Sequence, residues 1–267
     1  MKTKRIDKKF EELKQNKEKA LVGFLSAGDP DLNTSLKIIE AMCAAGLDVM
    51  ELGIPFSDPT ADGPVIQRSS ARALKKGITI KTVLEMTRKI RTFSDIPIIL
   101  FSYYNPIYSY GAEAFYNDSV SSGADGVLVV DLPPEESDEM TSKWPGNELA
   151  LIRLVAPTTP LERMKKIAQE SSGFLYLVSK TGVTGSAGLD TQKVTVNSRL
   201  LASITDLPIC VGFGISEPED VRKIAPDVDG IVVGSAFERI IEENPNNPDL
   251  DKILGEKVSK LKAATRL

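Results

Sequence analysis

The stretch DVMELGIPF, residues 48–56, is almost continuously apolar and ends in proline and phenylalanine after a glycine. Short runs of this kind are typical of parallel strands that are covered on both faces. Seven similar runs are spread along the chain, beginning at Ala20, Pro97, Gly126, Ala150, Phe174, Pro208 and Gly230. Segments with helical periodicity separate them, so strand and helix alternate eight times. This pattern predicts an α/β protein built as a single (β/α)8 TIM barrel, a fold that commonly occupies about 250 residues.

Helix start signals support this fold. Three helices are expected to begin at an N-cap residue, in two cases with an early-turn proline: at Asp31, at Thr159 with Pro160, and at Ser216 with Pro218. The first twenty residues are predicted to form an extra N-terminal helix, and residues 251–267 the last helix. No linker rich in proline, glycine or serine divides the chain, so residues 1–267 are predicted to form one domain.

The composition excludes several classes of function. The 267 residues include 33 Lys or Arg and 37 Asp or Glu, and this net charge of −4 argues against a binder of nucleic acid or anionic membranes. Histidine is absent from the sequence, which excludes Ser-His-Asp catalysis, Cys-His catalysis and His-ligated zinc. Cys43 and Cys210 lack the spacing of a metal site and are expected to be buried thiols. The charged first twenty residues lack the apolar core of a signal peptide, so a cytoplasmic location is expected.

Glu51 is an acidic residue within the second predicted strand. Alternation places it on the same face as Val49 and Gly53, opposite the bulky apolar residues that face the helices. Glu51 is therefore predicted to point into the barrel, where loss of hydration raises the pKa of a carboxyl and prepares it for general acid and base catalysis. The alternative is an ion pair with Arg153, a basic residue inside another predicted strand.

Other acids follow the strands. Asp58 and Asp62 lie in residues 57–77, part of the longest interval between predicted strands, where an elaborated loop and a short helix are expected. Asp131 ends the fourth run. The active residues of TIM barrels lie at this end of the strands, although each acid can instead bond its own backbone in a turn or cap. A divalent metal held by these acids and Glu51 stays a minor alternative, and no metal site is predicted.

Glycine and serine follow the last three predicted strands, in KTGVTGSAG at 180–188, GFGIS at 212–216 and VVGSAF at 232–237. Backbone N–H groups in such loops converge on anions, and TIM barrels often bind phosphate after strands seven and eight. Ser235 adds a hydroxyl donor, so the predicted substrate is a phosphate monoester. Aromatic residues at strand ends are expected to line a pocket for a flat apolar group: Phe24, Tyr103, Tyr104, Tyr176 and Phe213.

The segment MELGIPFSDPTADGPVIQ, residues 50–67, resembles the signature of the tryptophan synthase alpha subunit family. Other motifs match that family in the same order: FLSAGDP at 24–30, YYNP at 103–106, VDLPPEE at 130–136 and YLVSKTGVTG at 176–185. The resemblance implies a lyase that cleaves indole-3-glycerol phosphate to indole and glyceraldehyde 3-phosphate by a retro-aldol reaction. It also implies a PLP-dependent beta subunit as partner, in an α2β2 heterotetramer, and no cofactor in this chain.

The resemblance assigns roles to individual residues. Glu51 matches the general acid/base, and Asp62 matches the acid that binds the indole N–H. With Tyr103 from the aromatic set, the expected substrate-binding residues are Phe24, Leu128, Tyr176, Thr184 and Phe213. The expected phosphate-binding residues are Gly185, Gly214, Gly234 and Ser235. Thr184 matches a residue of a mobile loop that contacts Asp62 on closure, which implies that the loops after strands two and six close together.

Two other functions stay open at this point. One is a catalytically silent partner that activates the beta subunit, although the acids and the phosphate loops favour an active lyase. The other is a different phosphate-binding barrel enzyme, such as an epimerase or isomerase, although that class does not account for residues 50–67. Lys180 and GSAGLD at 185–190 depart from the family pattern, which leaves loop closure and communication with the beta subunit open.

Overall fold

The computed structural model describes residues 5–179, 191–212 and 214–266. Parallel strands close into a barrel in chain order, each pairing with the next and the last with the first. The strands are β1 (Ala20–Ser26), β2 (Val49–Gly53), β3 (Ile98–Ser102), β4 (Gly126–Val129), β5 (Ala150–Val155), β6 (Leu175–Val178), β7 (Ile209–Gly212) and β8 (Gly230–Val233). Every run predicted as a strand contains one of them, so the predicted (β/α)8 barrel is confirmed.

Helices surround the barrel. They are α1 (Arg5–Gln15), α2 (Leu32–Ala44), α3 (Pro64–Lys75), α4 (Ile80–Ile90), α5 (Tyr104–Tyr110), α6 (Ala112–Ser122), α7 (Asp138–Thr141), α8 (Leu161–Gln169), α9 (Thr191–Ala202), α10 (Pro218–Ile224), α11 (Ser235–Glu243) and α12 (Leu250–Ala263). The predicted N-terminal and C-terminal helices correspond to α1 and α12. Within the described ranges, none of the helices has the length and apolarity needed to cross a membrane.

Alternation along the strands divides the core into two apolar layers. Val22, Val49 and Ile99 belong to a cluster that fills the barrel interior, whereas Leu21 and Met50, one residue away, pack beneath the helices. Both layers are fully buried, which is why the strand sequences are continuously apolar.

Helix α1 closes the N-terminal end of the barrel. Ile6, Phe10 and Leu13 recur on one helical face and are buried with the interior cluster. The ring of Phe10 lies 5.8 Å from that of Phe174, the residue just before β6. Apolar side chains thus fill this end, and the C-terminal end is left for ligands.

The helix starts confirm one predicted cap and correct two. The Asp31 carboxylate accepts hydrogen bonds from the backbone N–H groups that begin α2, as predicted. Helix α8 has Pro160 as its N-cap, because the Thr159 hydroxyl is used in a preceding turn, where it accepts from the backbone of residue 156. Helix α10 has Glu217 as its N-cap instead of Ser216, and Asp220 accepts from the Glu217 N–H at 3.1 Å.

Two features near the C-terminal end go beyond the sequence prediction. The interval at 57–77 contains a loop followed by α3, which is a full helix of 12 residues where a short one was expected. The segment after β3, expected only as the end of a strand, turns into α5. Of the two cysteines, Cys210 is buried as predicted, whereas Cys43 is only partly buried.

Candidate active site

A cleft opens at the C-terminal end of the barrel, where TIM-barrel active sites lie. It brings together residues from strands β1, β2, β3, β6 and β8, from α3 and from the loops after β2, β7 and β8. The described residues that line it are Phe24, Glu51, Asp62, Ile66, Phe101, Tyr176, Gly214, Ile215, Val232, Gly234 and Ser235. Seven of these were predicted as site residues from the sequence: Phe24, Glu51, Asp62, Tyr176, Gly214, Gly234 and Ser235.

Glu51 points into the barrel, as predicted, and its residue is only 1% exposed. It lies in register between Phe24 of β1 and Ile99 of β3. Its Oε1 atom is buried and receives no hydrogen bond from the described residues. Burial disfavours the charged form and raises the pKa of Glu51 to about 8. At neutral pH the side chain is therefore mostly a carboxylic acid that can donate a proton.

The alternative ion pair between Glu51 and Arg153 does not form. Arg153 lies on the helix-facing side of β5, where its guanidinium donates to Ser137 Oγ at 2.7 Å and to the Glu170 carbonyl at 3.1 Å. Neighbouring strand residues face opposite sides of a barrel, so the side chain of Arg153 is directed away from the interior. Among the described residues, no Lys or Arg forms an ion pair with Glu51.

Asp62 lies in the loop between β2 and α3 and is half-buried. The phenol of Tyr103 donates a hydrogen bond to Asp62 Oδ2 at 3.0 Å and accepts one from the Ala61 N–H at 2.9 Å. Burial raises the pKa of Asp62 to about 6, although the Tyr103 hydrogen bond lowers it. Asp62 is therefore largely ionised at pH 7, in contrast to Glu51.

The other two loop acids make local contacts away from the cleft. Asp131 is exposed and accepts a hydrogen bond from the Tyr104 N–H at 2.8 Å, which caps α5. Asp58 is also exposed and accepts from the hydroxyl of Ser57 at 2.5 Å. The cap role of Asp131 is therefore confirmed, whereas the carboxylate of Asp58 bonds a neighbouring side chain instead of a backbone N–H. Within the described part of the chain, no three His, Cys, Asp or Glu residues are grouped so that they could hold a metal ion.

Aromatic and aliphatic side chains form the walls of the cleft. The rings of Phe24 and Phe101 meet edge to face with centroids 5.1 Å apart. Tyr176 lines the cleft on β6, and its buried phenol has a raised pKa, because burial and the nearby Glu51 disfavour the phenolate. This part of the cleft suits a flat apolar group, as predicted.

Three aromatic or apolar predictions lie elsewhere. Tyr103 stands behind Asp62 and lines an adjoining recess with Phe56 instead of the main cleft. Leu128 is fully buried in the interior cluster and is not among the described residues that line the cleft. Tyr104 packs against Tyr108 on α5, with ring centroids 5.9 Å apart.

Four residues of the cleft were missed by the sequence analysis: Ile66, Phe101, Ile215 and Val232. Phe101 could have been found, because alternation from Ile99 places it on the inner face of β3. Val232 is recoverable in the same way from β8. Ile66 and Ile215 belong to a helix and a loop, and their positions depend on how those segments fold over the barrel.

The glycine and serine residues after β7 and β8 form a cradle at the start of α11. This helix begins at Ser235, with Gly234 as its N-cap, so its first N–H groups have no acceptor within the helix. Gly214 has φ of +78°, a conformation that favours glycine. A Cβ atom at Gly234 would lie only 3.2 Å from Phe24 Cβ. Glycine at this position therefore lets the backbone pass close to the Phe24 side chain. Anions bind readily at such helix N-termini.

Three of the predicted site residues, Thr184, Gly185 and Phe213, lie outside the described residues, as do Lys180 and the divergent segment 185–190. Their predicted roles stay predictions.

The model of the protein family described as tryptophan synthase alpha chain matches residues 10–266 of this sequence. The chain belongs to the tryptophan synthase alpha chain family. It is 62% identical to the tryptophan synthase alpha chain of Desulfatibacillum aliphaticivorans, over 98% of each protein. It is 60% identical to that of Desulfosudis oleivorans, over 98% of this chain and 99% of the relative.

Solved structures agree with this family assignment. Tryptophan synthase subunit alpha from Legionella pneumophila superposes with a TM-score of 0.90 at 39% identity, over 98% of both chains. A chain of Mycobacterium tuberculosis tryptophan synthase superposes with a TM-score of 0.91 at 30% identity, over 100% of both chains. The resemblance found at residues 50–67 is thereby confirmed. So is the activity of this family in tryptophan biosynthesis, the cleavage of indole-3-glycerol phosphate (EC 4.2.1.20).

Proposed function

We propose that this cleft cleaves indole-3-glycerol phosphate by a retro-aldol reaction in which Glu51 is the general acid/base and Asp62 binds the indole N–H. The observation that carries the proposal is the pairing of two carboxyl groups with opposite protonation in one cleft. Burial raises the pKa of Glu51 to about 8, whereas that of Asp62 is about 6. Such a split between two acids is the usual sign of separate acid and base roles.

The binding part of the proposal follows from the walls of the cleft. The indole ring contacts Phe24, Phe101 and Tyr176, which supply apolar area on the side of the carboxyl groups. The phosphate binds at the cradle of Gly214, Gly234 and Ser235, where the N-terminus of α11 favours negative charge. Leu128, Thr184, Phe213 and Gly185 keep their predicted roles as substrate and phosphate contacts.

Glu51 and Asp62 supply the acid, the base and the charge stabilisation that the proposed reaction needs. Glu51 starts as the acid and protonates C3 of the indole, which makes a cationic indolenine. The carboxylate of Asp62 accepts a hydrogen bond from the indole N–H and stabilises that positive charge. Glu51, now a carboxylate, removes the proton of the glycerol hydroxyl next to the ring. The carbon–carbon bond then breaks, its electron pair restores the indole, and an aldehyde forms as glyceraldehyde 3-phosphate.

We further propose that the indole passes to a PLP-dependent beta subunit in an α2β2 assembly, and that this chain itself carries no cofactor. Support comes from solved Mycobacterium tuberculosis tryptophan synthase in an aminoacrylate-bound form, one chain of which superposes with a TM-score of 0.88 at 29% identity. The superposition covers 99% of this chain and 100% of that chain. The organisation of residues 1–267 as one domain and the cytoplasmic location stay predictions.

The test is the release of indole from indole-3-glycerol phosphate by the purified chain, with and without beta subunit and PLP. We expect turnover that rises when the partner is added. The Glu51→Gln variant, measured in parallel, controls for contaminating activity. An absence of turnover under both conditions, with the phosphate ligand still bound, would instead support the silent-partner alternative.

A further inference from the structure

Helix α11 contains a buried carboxyl group that the proposed mechanism does not use. Glu238 lies three residues after Ser235 and is 0% exposed. Its Oε1 atom accepts a hydrogen bond at 2.5 Å from the backbone N–H of Ser26, the last residue of β1. Its Oε2 atom is buried and receives no hydrogen bond from any N–H or O–H donor of the described residues. An ionised carboxylate in this position would be short of donors.

The neighbour of Glu238 is a second carboxyl group, on Asp29. Asp29 is 1% exposed and holds the guanidinium of Arg72 with two hydrogen bonds, of 2.8 Å and 2.7 Å. It acts on Glu238 both through its charge and as a side-chain hydrogen-bond partner. Two carboxyl groups can share a hydrogen bond only when one of them carries a proton.

The proton belongs to Glu238. Arg72 forms a bidentate ion pair with Asp29, whereas no Lys or Arg of the described residues forms an ion pair with Glu238. Burial and the charge of Asp29 raise the pKa of Glu238 well above its usual range, despite the Ser26 N–H and the more distant Arg72. The remaining acid of this cluster, Glu242, lies near the surface and pairs with Arg68 at 2.6 Å and with Arg72 at 3.0 Å.

These contacts join three elements that each supply residues to the cleft. Strand β1 carries Phe24 two residues before Ser26. Helix α3, which carries Arg72, follows Asp62 in the chain. It is also tied to β1 by a hydrogen bond of 2.6 Å between Ser26 Oγ and Ser69 Oγ. Helix α11 begins at the phosphate cradle. Glu238 therefore fixes the N-terminal turn of α11 against the strand and the helix that carry the indole side of the cleft.

The charge state of Glu238 also affects the cradle directly. An ionised carboxylate one helical turn from Ser235 would repel a phosphate dianion and oppose the positive end of the helix dipole. A neutral carboxylic acid still accepts from the Ser26 N–H and can also donate to Asp29, without that repulsion. The hydrogen bonds of Glu238 and its lack of charge therefore both favour phosphate binding at the start of α11.

We propose that Glu238 is a positioning residue for the substrate phosphate, held as a neutral acid that donates a hydrogen bond to Asp29 and accepts one from Ser26. The proposal rests on the proposed function in one respect, the placement of the phosphate at the N-terminus of α11. It concerns binding of the phosphate and not the proton transfers of Glu51.

The first experiment measures the dissociation constant of glycerol 3-phosphate at pH 7.5, where this probe is a dianion. Glu238→Gln keeps one acceptor and one donor without charge, so we expect binding within about twofold of wild type. Glu238→Leu leaves the Ser26 N–H and Asp29 without their partner, and we expect binding weakened about tenfold. Glu243→Gln is the matched control, because it makes the same substitution at an exposed position of the same helix.

Several outcomes would overturn the proposal. Binding that becomes about tenfold tighter in Glu238→Gln would mean that Glu238 is ionised. Unchanged binding in a folded Glu238→Leu variant would mean that it does not position the cradle. If the wild-type chain fails to bind glycerol 3-phosphate, there is no bound phosphate for Glu238 to position. Binding of the probe without indole release, by contrast, contradicts only the lyase assignment.

A second measurement does not depend on the leucine variant folding. The infrared spectrum of the unliganded protein at pH 7.5 should contain the carbonyl band of a protonated carboxylic acid from Glu238. That band should be absent from Glu238→Gln, so it should remain in the difference spectrum of wild type minus variant, where the bands of Glu51 and Asp62 cancel. A difference spectrum that shows loss of a carboxylate instead would refute the neutral acid.

Discussion

The phenol of Tyr103 and the carboxylate of Asp62 are joined by a hydrogen bond of 3.0 Å. The same phenol oxygen accepts the Ala61 N–H at 2.9 Å, so one side chain fixes both the carboxylate and its backbone. Tyr103 directly follows β3, whereas Asp62 belongs to the loop after β2. The aromatic residue expected to contact substrate therefore holds the acid that the proposed mechanism aims at the indole.

This relationship predicts the behaviour of Tyr103→Phe. Removal of the hydrogen bond raises the pKa of Asp62 above its value of about 6, because that bond favours the charged carboxylate. We expect kcat/KM to fall about tenfold at pH 7, with the acidic limb of the pH profile moved to higher pH. Tyr108→Phe, on the exposed face of α5, is the matched control. An unmoved acidic limb would show that the phenol does not control Asp62.

Glu51→Gln tests the general acid/base. We expect indole-forming kcat to fall by about two decades or more, because an amide can neither protonate the indole nor accept the hydroxyl proton. Steady-state kinetics would be combined with circular dichroism to confirm the fold. Turnover close to wild type would contradict the assignment of Glu51.

The same substitution should stabilise the protein. The pKa of Glu51 is about 8 in the folded protein against 4.5 for an ordinary glutamate, so the folded state binds the proton more tightly. Stability is then lost as pH rises from about 4.5 to about 8, by about 3 kcal/mol at pH 7. Glutamine does not titrate, so its advantage over Glu51 should be absent at pH 4 and grow up to pH 8. Urea unfolding at several pH values measures this, and an advantage that does not vary with pH would argue against a buried neutral acid.

The pH dependence of catalysis should be bell-shaped. Asp62 must be ionised to stabilise the indolenine, so kcat/KM should fall below about pH 6. Glu51 must carry its proton at the start, so kcat/KM should also fall above about pH 8. Asp62→Asn should be strongly impaired and should lack the acidic limb. Activity that rises steadily through pH 9 would require Glu51 to begin as a base.

Gly212→Ala tests the packing beneath Tyr176. A Cβ atom at Gly212 would overlap the phenol of Tyr176, which lies on the neighbouring strand β6. We expect a raised KM and a loss of about 1–3 kcal/mol in stability as the ring is displaced. Gly255→Ala in α12 is the matched control, since its new Cβ would meet Ala41 O of α2 at an ordinary 3.5 Å. That control should be neutral or stabilising by up to about 1 kcal/mol. An unchanged KM in Gly212→Ala would mean that Tyr176 has room to move without loss of binding.

Much of the site could be predicted because it lies on strands or directly after them. Alternation alone oriented Glu51, and the barrel rule located the glycine and serine residues at Gly234 and Ser235. Prediction was weaker where a side chain has several local partners. Asp58, Asp62 and Asp131 occur in similar turns, and the sequence separated Asp62 from the other two only through the family resemblance. Thr159 and Ser216 were assigned as caps because local pattern does not reveal which residue of a turn the helix will use.

The sequence by itself determined the barrel, the orientation of Glu51 and the location of Gly234 and Ser235 directly after β8, because these depend on periodicity and on the order of strands along the chain. Only the tertiary structure decided that Tyr103 holds Asp62, that Arg153 faces away from Glu51, and that Glu238 lies against Asp29. These contacts join residues that are far apart in the chain: Glu238 and Ser26, for example, are separated by 212 positions. The protonation of Glu51 and Glu238 also depends on burial, which arises only when the helices pack around the barrel.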